Sequence, residues 1–144
     1  MNKTSETALM LAIRDAMLAT GKVQLFRNNT GRMKTGMRWI SFGLGIGSPD
    51  LVGILRGSGR FIGVEVKLPK LGLEPNQVAW HKAARESGAL VYVAHSVEEA
   101  LAGLDEQKAV ALSAAGEAVA RVHGLVRAGR LTQEAADVLL DGIE

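Results

Sequence analysis

Short apolar runs alternate with segments of helical spacing along the first two thirds of the chain. The strand-like runs are bounded by glycine and turn residues, and they cover residues 23–27, 37–42, 51–55, 61–66 and 89–94. Between the last two runs, Pro75 suits the first turn of a helix that ends before Gly88. Residues 5–19 carry apolar side chains at helical spacing, namely Leu9, Ala12, Ile13, Ala16 and Met17. The pattern predicts an α/β domain.

Local signals set the expected ends and faces of the helices. Thr4 or Ser5 can cap the first helix and Gly21 can stop it, and the run from Ser96 to Glu99 is a capping box for a short helix. In the helix after Pro75, one side is expected to carry Val78, Ala79, Lys82 and Ala83. Trp80 is expected in the core rather than as a base-stacking platform, and His81 is expected at the surface rather than as a ligand.

The last third of the chain is alanine-rich and helical. One helix is expected near residues 105–128, and another follows Thr132 with Ala135, Val138 and Leu139 on one stripe and Gly142 at its end. No chemical motif is visible there. These residues are expected to complete the core, to form a dimer interface or to shield the acidic side of the protein from nucleic acid.

The runs 51–55 and 61–66 flank the turn signal Gly57-Ser58-Gly59 and predict a β-hairpin. With a plain three-residue loop, Asp50 would fall opposite Val66, one step from Glu65. Because side chains alternate along a strand, Glu65 and Lys67 share a face. Asp50 would join that face only through a one-residue offset, such as a bulge, or through a bend where its strand begins.

Two carboxylates brought together in this way favour a divalent cation. At about 4 Å they would repel by roughly 4 kcal/mol at an effective dielectric constant near 20, and a cation between them would turn the repulsion into attraction. Oxygen ligands suit Mg²⁺ or Mn²⁺. The chain has no cysteine, which excludes disulfides and thiolate metal sites, and its three histidines lack metal-ligand spacing.

Pro49-Asp50, Glu65-Val66-Lys67 and Gln77, in that order, resemble the PD-(D/E)XK nuclease signature. The arrangement is most similar to the virus-type replication-repair nuclease (VRR-NUC) family, in which a glycine precedes Pro-Asp and a Leu-x-Pro-x-Gln element follows Glu-Val-Lys. Gly47, Leu73 and Pro75 supply those positions, and the resemblance covers roughly residues 5–101. The chain departs from the family at Glu74, often Ser there, and in the more apolar linker 68–72.

The resemblance implies a restriction-endonuclease-like fold, with a mixed central sheet flanked by helices, and a set of site residues. Residues 1–104 would form the nuclease core and residues 105–144 a helical extension of the same domain. Asp50, Glu65 and the carbonyl of Val66 would bind one or two Mg²⁺ or Mn²⁺ ions. Lys67 would orient water or stabilise charge on the phosphate, and Gln77 would hold Lys67 or the water.

Two alternatives apply to these acidic residues. Glu6, in the first turn of the first helix, matches a family position near the metal, but a carboxylate there also complements the helix N-terminus. Asp50 could be a turn residue after proline, with Glu65 and Lys67 a solvated pair on an edge strand.

The net charge of +2 hides an asymmetry between the two parts of the chain. Residues 1–97 carry 13 Lys and Arg against 6 Asp and Glu, whereas residues 98–144 carry 4 against 9. No acid lies between Asp15 and Asp50, a stretch that holds five cations interleaved with aromatic side chains. It is typical of a phosphate-contacting surface, with the candidate contacts Arg27, Asn28, Arg32, Lys34 and Arg38. An ordinary basic loop is the alternative.

The segment that leads into Asp50 is rich in glycine, with Gly43, Gly45 and Gly47. It is not a phosphate loop, because the Lys-Ser/Thr ending is missing. Its glycines would let nucleic acid approach the backbone, or they serve loop geometry alone.

At 144 residues the chain suits one domain that needs no covalent staple. The start of the sequence lacks an apolar signal core, and no run approaches a membrane span, so a cytoplasmic location in a bacterial or phage-infected cell is expected.

The predicted function is a Mg²⁺-dependent DNA endonuclease. Stand-alone members of the family resemble junction-cleaving dimers, which implies branched DNA as substrate and a homodimer. The alternatives are a nucleic-acid-binding module on a nuclease fold that no longer cuts, and a related nuclease that acts on RNA.

Overall fold

The computed structural model describes residues 3–141, and of these only the backbone at positions 3, 4, 106–108, 110, 111 and 113. The described chain forms a mixed four-stranded sheet flanked by helices, with a separate two-stranded hairpin. The elements in chain order are α1 (Lys3–Ala19), β1 (Val23–Arg27), β2 (Gly31–Thr35), β3 (Arg38–Phe42), β4 (Leu51–Leu55), β5 (Phe61–Val66), α2 (Pro75–Glu86), β6 (Leu90–Ala94), α3 (Val97–Ala102), α4 (Glu106–Arg127) and α5 (Gln133–Leu140).

The central sheet has the strand order β1-β4-β5-β6. β4 pairs antiparallel with both β1 and β5, and β6 runs parallel to β5 after the crossover through α2. The five predicted strands are therefore confirmed, with small shifts at their ends. The sequence did not predict β2, which pairs with β3 outside the central sheet.

The two faces of the sheet have different environments. Alternate residues of β5 and β6, such as Val64 and Tyr92, lie in the main core against α1 and α3. The other face carries Val93, which packs with Leu73 and Ala120 beneath α2 and α4. Glu65 belongs to this second face because it follows Val64 by one residue.

The hairpin between β4 and β5 has the one-residue offset that a plain three-residue loop would lack. Its loop contains four residues rather than three, since the N–H of Leu55 donates to the carbonyl of Arg60 at 2.8 Å. Leu51 pairs with Val64, so the same register carried one residue further sets Asp50 opposite Glu65. Positive φ angles of 92° at Gly57 and 71° at Gly59 permit this turn. The offset needed to bring the carboxylates to one face is thus built into the loop.

The predicted start and buried face of α1 need correction. The helix already includes Lys3, so Thr4 and Ser5 lie inside it and do not cap it. Met10, Ile13 and Met17 form its buried face, whereas Ala12 is exposed. The predicted stop at Gly21 is confirmed, with a φ of 69° there.

In α2, the predicted surface position of His81 was wrong. Ala79, Lys82 and Ala83 are exposed, while His81 is fully buried and Trp80 is half-buried with its ring 6.3 Å from that of Phe61. The helix therefore turns the side carrying His81 toward the sheet and α4. Burial lowers the pKa of His81 to about 4, so the imidazole is neutral at physiological pH.

Both C-terminal helices form as predicted, and Thr132 caps α5 by accepting a hydrogen bond from the N–H of Ala135. The buried residues of α5 are Ala136 and Leu140, whereas Val138 and Leu139 of the predicted stripe are exposed. The expected stop at Gly142 lies outside the described residues. Among those described, no helix is long and apolar enough to cross a membrane.

Candidate active site

Asp50 is held at the entrance to β4 by hydrogen bonds to its backbone and its side chain. Its carbonyl accepts a hydrogen bond from the N–H of Asn28 at 2.7 Å, and its Oδ2 accepts one from the N–H of Val66 at 2.9 Å. Burial raises the pKa of Asp50, and the hydrogen bond from Val66 partly opposes that rise. The acid is thereby fixed beside the end of β5.

Glu65 is almost completely buried on the sheet face that carries the site. Its Oε1 accepts hydrogen bonds from Gln77 Nε2 at 2.5 Å and from Lys67 Nζ at 3.1 Å. Its Oε2 is buried without a hydrogen-bond partner in the described part of the chain. Burial, followed by repulsion from Asp50, raises the pKa of Glu65 to about 7.

The N-terminal turn of α2 positions Gln77. Glu74 lies at the N-cap, and its N–H donates to Gln77 Oε1 at 2.8 Å, which directs the amide nitrogen of Gln77 toward Glu65. Gln77 was expected to hold Lys67 or water. Instead, it binds the same carboxylate oxygen as Lys67.

The residues that converge at the site fit a metal ion. Asp50, Glu65 and the carbonyl of Val66 are all oxygen donors, the kind that Mg²⁺ and Mn²⁺ prefer. The unpartnered Oε2 of Glu65 leaves one buried lone pair for a cation. Among the side chains that the structure describes, no three acidic or imidazole groups form a metal-binding cluster, so the carbonyl and water would have to complete the ligand set.

Glu6 also lies near these acids, because its charge adds to the raised pKa of Asp50. It lines a cavity of about 210 Å³ together with Lys67, and the remaining lining residues are Leu71, Gly72, Leu73, Glu74, His123 and Arg127. This position of Glu6 agrees with the expectation that it lies near the two acids.

His123 and Arg127 bring α4 to the same cavity, which sequence reasoning missed. Arg127 Nη1 lies 3.8 Å from Glu74 Oε2, and His123 Nε2 lies 3.4 Å from the carbonyl of Lys70. The two residues are four apart on one helix, which places them on the same side. That spacing was the available signal, but only the packing of α4 shows that this side faces the cavity lined by Glu6 and Lys67.

The predicted nucleic-acid contacts divide into two groups. Arg32, Lys34 and Arg38 lie on the β2–β3 hairpin, whereas Arg27 ends β1, where its charge slightly opposes the burial that raises the pKa of Asp50. Asn28 donates from Nδ2 to Ser48 Oγ at 2.8 Å and to the Pro49 carbonyl at 2.9 Å. Asn28 therefore also ties the base of the hairpin to the segment that enters Asp50.

The glycine-rich lead into Asp50 approaches α2 closely. A Cβ at Gly47 would lie 2.3 Å from the carbonyl oxygen of Asn76, and the φ of Gly47 is 89°. Close packing against the start of α2 accounts for this glycine. A Cβ at Gly45, in contrast, would meet no other part of the described chain within 4 Å, so the backbone there is open.

A family comparison agrees with this geometry. The VRR-NUC domain model matches residues 12–98, which is more than half of the chain, and the protein therefore belongs to the VRR-NUC family. This is a family of nucleases, which act on DNA. Asp50, Glu65, Lys67 and Gln77 lie inside the matched segment, whereas Glu6 and Arg127 lie outside it. No curated relative matches the chain.

The buried acids predict that Glu65→Gln stabilises the metal-free protein at pH 8. A carboxyl with a raised folded pKa destabilises the fold as pH rises from 4.5 to about 7, because the unfolded state releases its proton first. The variant should lose this penalty, which is on the order of 3 kcal/mol. Urea unfolding at pH 5 and pH 8 in EDTA measures it.

The exposed Glu98→Gln is the matched control and should follow the wild type at both pH values. Equal changes in the free energy of unfolding between pH 5 and pH 8 for wild type and Glu65→Gln would contradict the burial of a repelled charge.

Proposed function

We propose that this protein is a metal-dependent endonuclease with a restriction-endonuclease-like core that hydrolyses phosphodiester bonds in DNA. The observation that carries the proposal is the convergence of Asp50, Glu65, Lys67 and Gln77, with one oxygen of Glu65 buried and unpartnered among the described residues. A buried Glu65 beside the half-buried Asp50 is costly in a purely structural role, because the two charges repel and are poorly hydrated. A bound cation would offset this cost by attracting both carboxylates.

Asp50, Glu65 and the carbonyl of Val66 would hold one or two Mg²⁺ or Mn²⁺ ions. When bound, such an ion would polarise the scissile phosphate and lower the pKa of the attacking water. Lys67, held by Glu65, would direct its remaining N–H groups toward that water or toward the charge that develops on the phosphate. Gln77 would keep Glu65 in place.

The proposal extends to the organisation of the chain. Residues 1–104 would form the nuclease core and residues 105–144 a helical extension of the same domain, which is supported by the packing of α4 against β6. The protein would meet its DNA in the cytoplasm of a bacterial or phage-infected cell. Its substrate would be branched DNA, such as a four-way junction, which a homodimer could cut symmetrically.

Replacement of the site residues should abolish cleavage without unfolding the protein. Asp50→Asn, Glu65→Gln and Lys67→Ala should each lower the rate by roughly 100-fold or more, since each removes charge from the reacting phosphate's surroundings. The assay is cleavage of linear, flapped and four-way DNA with Mg²⁺ or EDTA, with Glu98→Gln as control. Normal turnover by any of the three variants would refute the mechanism.

A parallel RNA substrate and a binding measurement separate the alternatives. DNA binding without cleavage by the wild type under every metal condition would indicate a module that binds nucleic acid without cutting it. Preferential cleavage of the RNA would replace the DNA substrate in the proposal.

Charge reversal on the hairpin should weaken DNA binding and its salt dependence. Each phosphate contact contributes about one unit to the slope of log affinity against log salt, so Arg32→Glu with Lys34→Glu should lower the slope by about two. Filter binding in EDTA at several salt concentrations measures this. The same double reversal at the exposed Arg121 and Arg130 is the control. An unchanged slope for the hairpin variant would contradict phosphate contact.

Light scattering should show a dimer at micromolar concentration. Two surfaces carry exposed apolar side chains suited to the interface: Leu44 and Ile46 in the glycine-rich segment 43–47, and Val138 with Leu139 within residues 105–143. Serine at both positions of one pair should produce monomers, while serine at the other pair should not.

A monomeric wild type, both alone and with a four-way junction, would remove junction resolution from the proposal. A simple metal-dependent nicking nuclease would then remain.

A further inference from the structure

The β2–β3 hairpin forms its own two-stranded sheet beside the central one. Nine of its ten strand residues are exposed, including large apolar side chains that globular domains usually bury. An isolated two-stranded ribbon is marginally stable in water and gains stability from a partner. The hairpin is therefore a surface suited to binding.

The strand register separates the side chains of the hairpin into two faces. Lys34 pairs with Trp39 and Arg32 pairs with Ser41, so these four residues form one face, which we call the basic face. The opposite face, here the apolar face, contains Met33, Ile40 and Phe42, with Thr35 and Arg38 at its tip. The pairing with β2, which the sequence did not predict, brings Arg32 and Lys34 to the face of Trp39.

Trp39 is the distinctive residue of the basic face. Its side chain is 61% exposed, and the guanidinium carbon of Arg32 lies 5.7 Å from the centre of its ring. Because Trp39 stays largely exposed despite the cation–π contact with Arg32, much of the apolar surface of the indole remains available to a ligand. No acid occurs between Asp15 and Asp50 to oppose an approaching phosphate.

We propose that Trp39 stacks on an unpaired base of a DNA strand whose phosphates bind Arg32 and Lys34. Every base has a flat face that an aromatic ring can cover, and flanking cations follow the phosphates. A base inside a duplex is already stacked on both sides, so it offers no such face without being extruded. The basic face would therefore favour DNA with unpaired nucleotides, such as flaps and branch points. This inference rests on the proposed function, because it concerns the same DNA.

The base of the hairpin lies beside the candidate active site. Asn28 binds the carbonyl of Pro49, and Thr30 Oγ1 lies 3.0 Å from Ser48 Oγ, immediately before Asp50. Strands of five residues extend about 17 Å, which corresponds to about five base steps of DNA. A base held by Trp39 would thus lie within a few nucleotides of the phosphate at the acidic residues.

Tryptophan fluorescence tests this inference directly. The chain has two tryptophans, so Trp80→Phe leaves Trp39 as the only indole. Titration in EDTA with a single-stranded oligonucleotide should quench its emission, and a blunt hairpin duplex should quench it much less. In the wild-type background, Trp39→Ala should weaken single-strand binding roughly 5- to 150-fold and duplex binding less than twofold, while Trp39→Phe retains most of the affinity.

Ile40→Ala, on the apolar face of the same hairpin, is the matched control and should bind single strands normally, with circular dichroism verifying the fold of each variant. Unchanged single-strand affinity in Trp39→Ala, or equal quenching by single strand and duplex, would overturn the inference. An equal loss in Trp39→Phe and Trp39→Ala would overturn it as well. Because binding is measured without metal, a protein that stacks DNA on Trp39 but never cleaves would contradict the proposed nuclease function and leave this inference standing.

Discussion

The pairing register of β4 and β5 is the constraint on which the candidate site depends. A shift of one residue would turn Asp50 to the other side of the sheet, away from Glu65. The four-residue loop sets the register, and the hydrogen bond from Val66 to Asp50 Oδ2 continues it beyond the last paired residue. The result is a pair of acids in an environment that disfavours their charges. The fold tolerates this arrangement because the other residues of β5 and β6 are apolar and mostly buried.

The surrounding elements act on this pair through short connections. α2 begins at Pro75 and directs Gln77 to Glu65, so the helix that crosses between β5 and β6 also orders a carboxylate. Lys67 continues β5 and reaches the same oxygen from its own strand. Since both donors use Oε1, the second oxygen of Glu65 has no hydrogen-bond partner among the described residues. The two oxygens of Glu65 therefore differ: Oε1 accepts both hydrogen bonds, and Oε2 is left for a cation.

Beyond the family match, α4 changes the environment of the site. Arg127 approaches Glu74, the residue at which the chain departs from the family's usual serine, and the two side chains are 3.8 Å apart. Glu74, which differs from the family pattern, is therefore in contact with α4 of the C-terminal extension. An exposed pair of this kind contributes little to stability, but it places a guanidinium group beside the cavity that Lys67 lines. A helix that carries no motif of its own can still shape the entrance to the site.

The sequence by itself predicted five of the six described strands, the five described helices and the four residues that converge at the candidate site, Asp50, Glu65, Lys67 and Gln77. Those signals are local: alternation along Phe61–Val66, a proline at the start of a helix, and acids at fixed positions around a turn. The tertiary structure decided the loop length that aligns Asp50 with Glu65, the burial of His81, the partner of Gln77 and the approach of Arg127. It also decided that β2 pairs with β3 and so brings Lys34 and Arg32 to the face of Trp39. These features depend on which residues far apart in sequence pack together, and the free-energy differences that select them are summed over the whole fold rather than carried by any short segment.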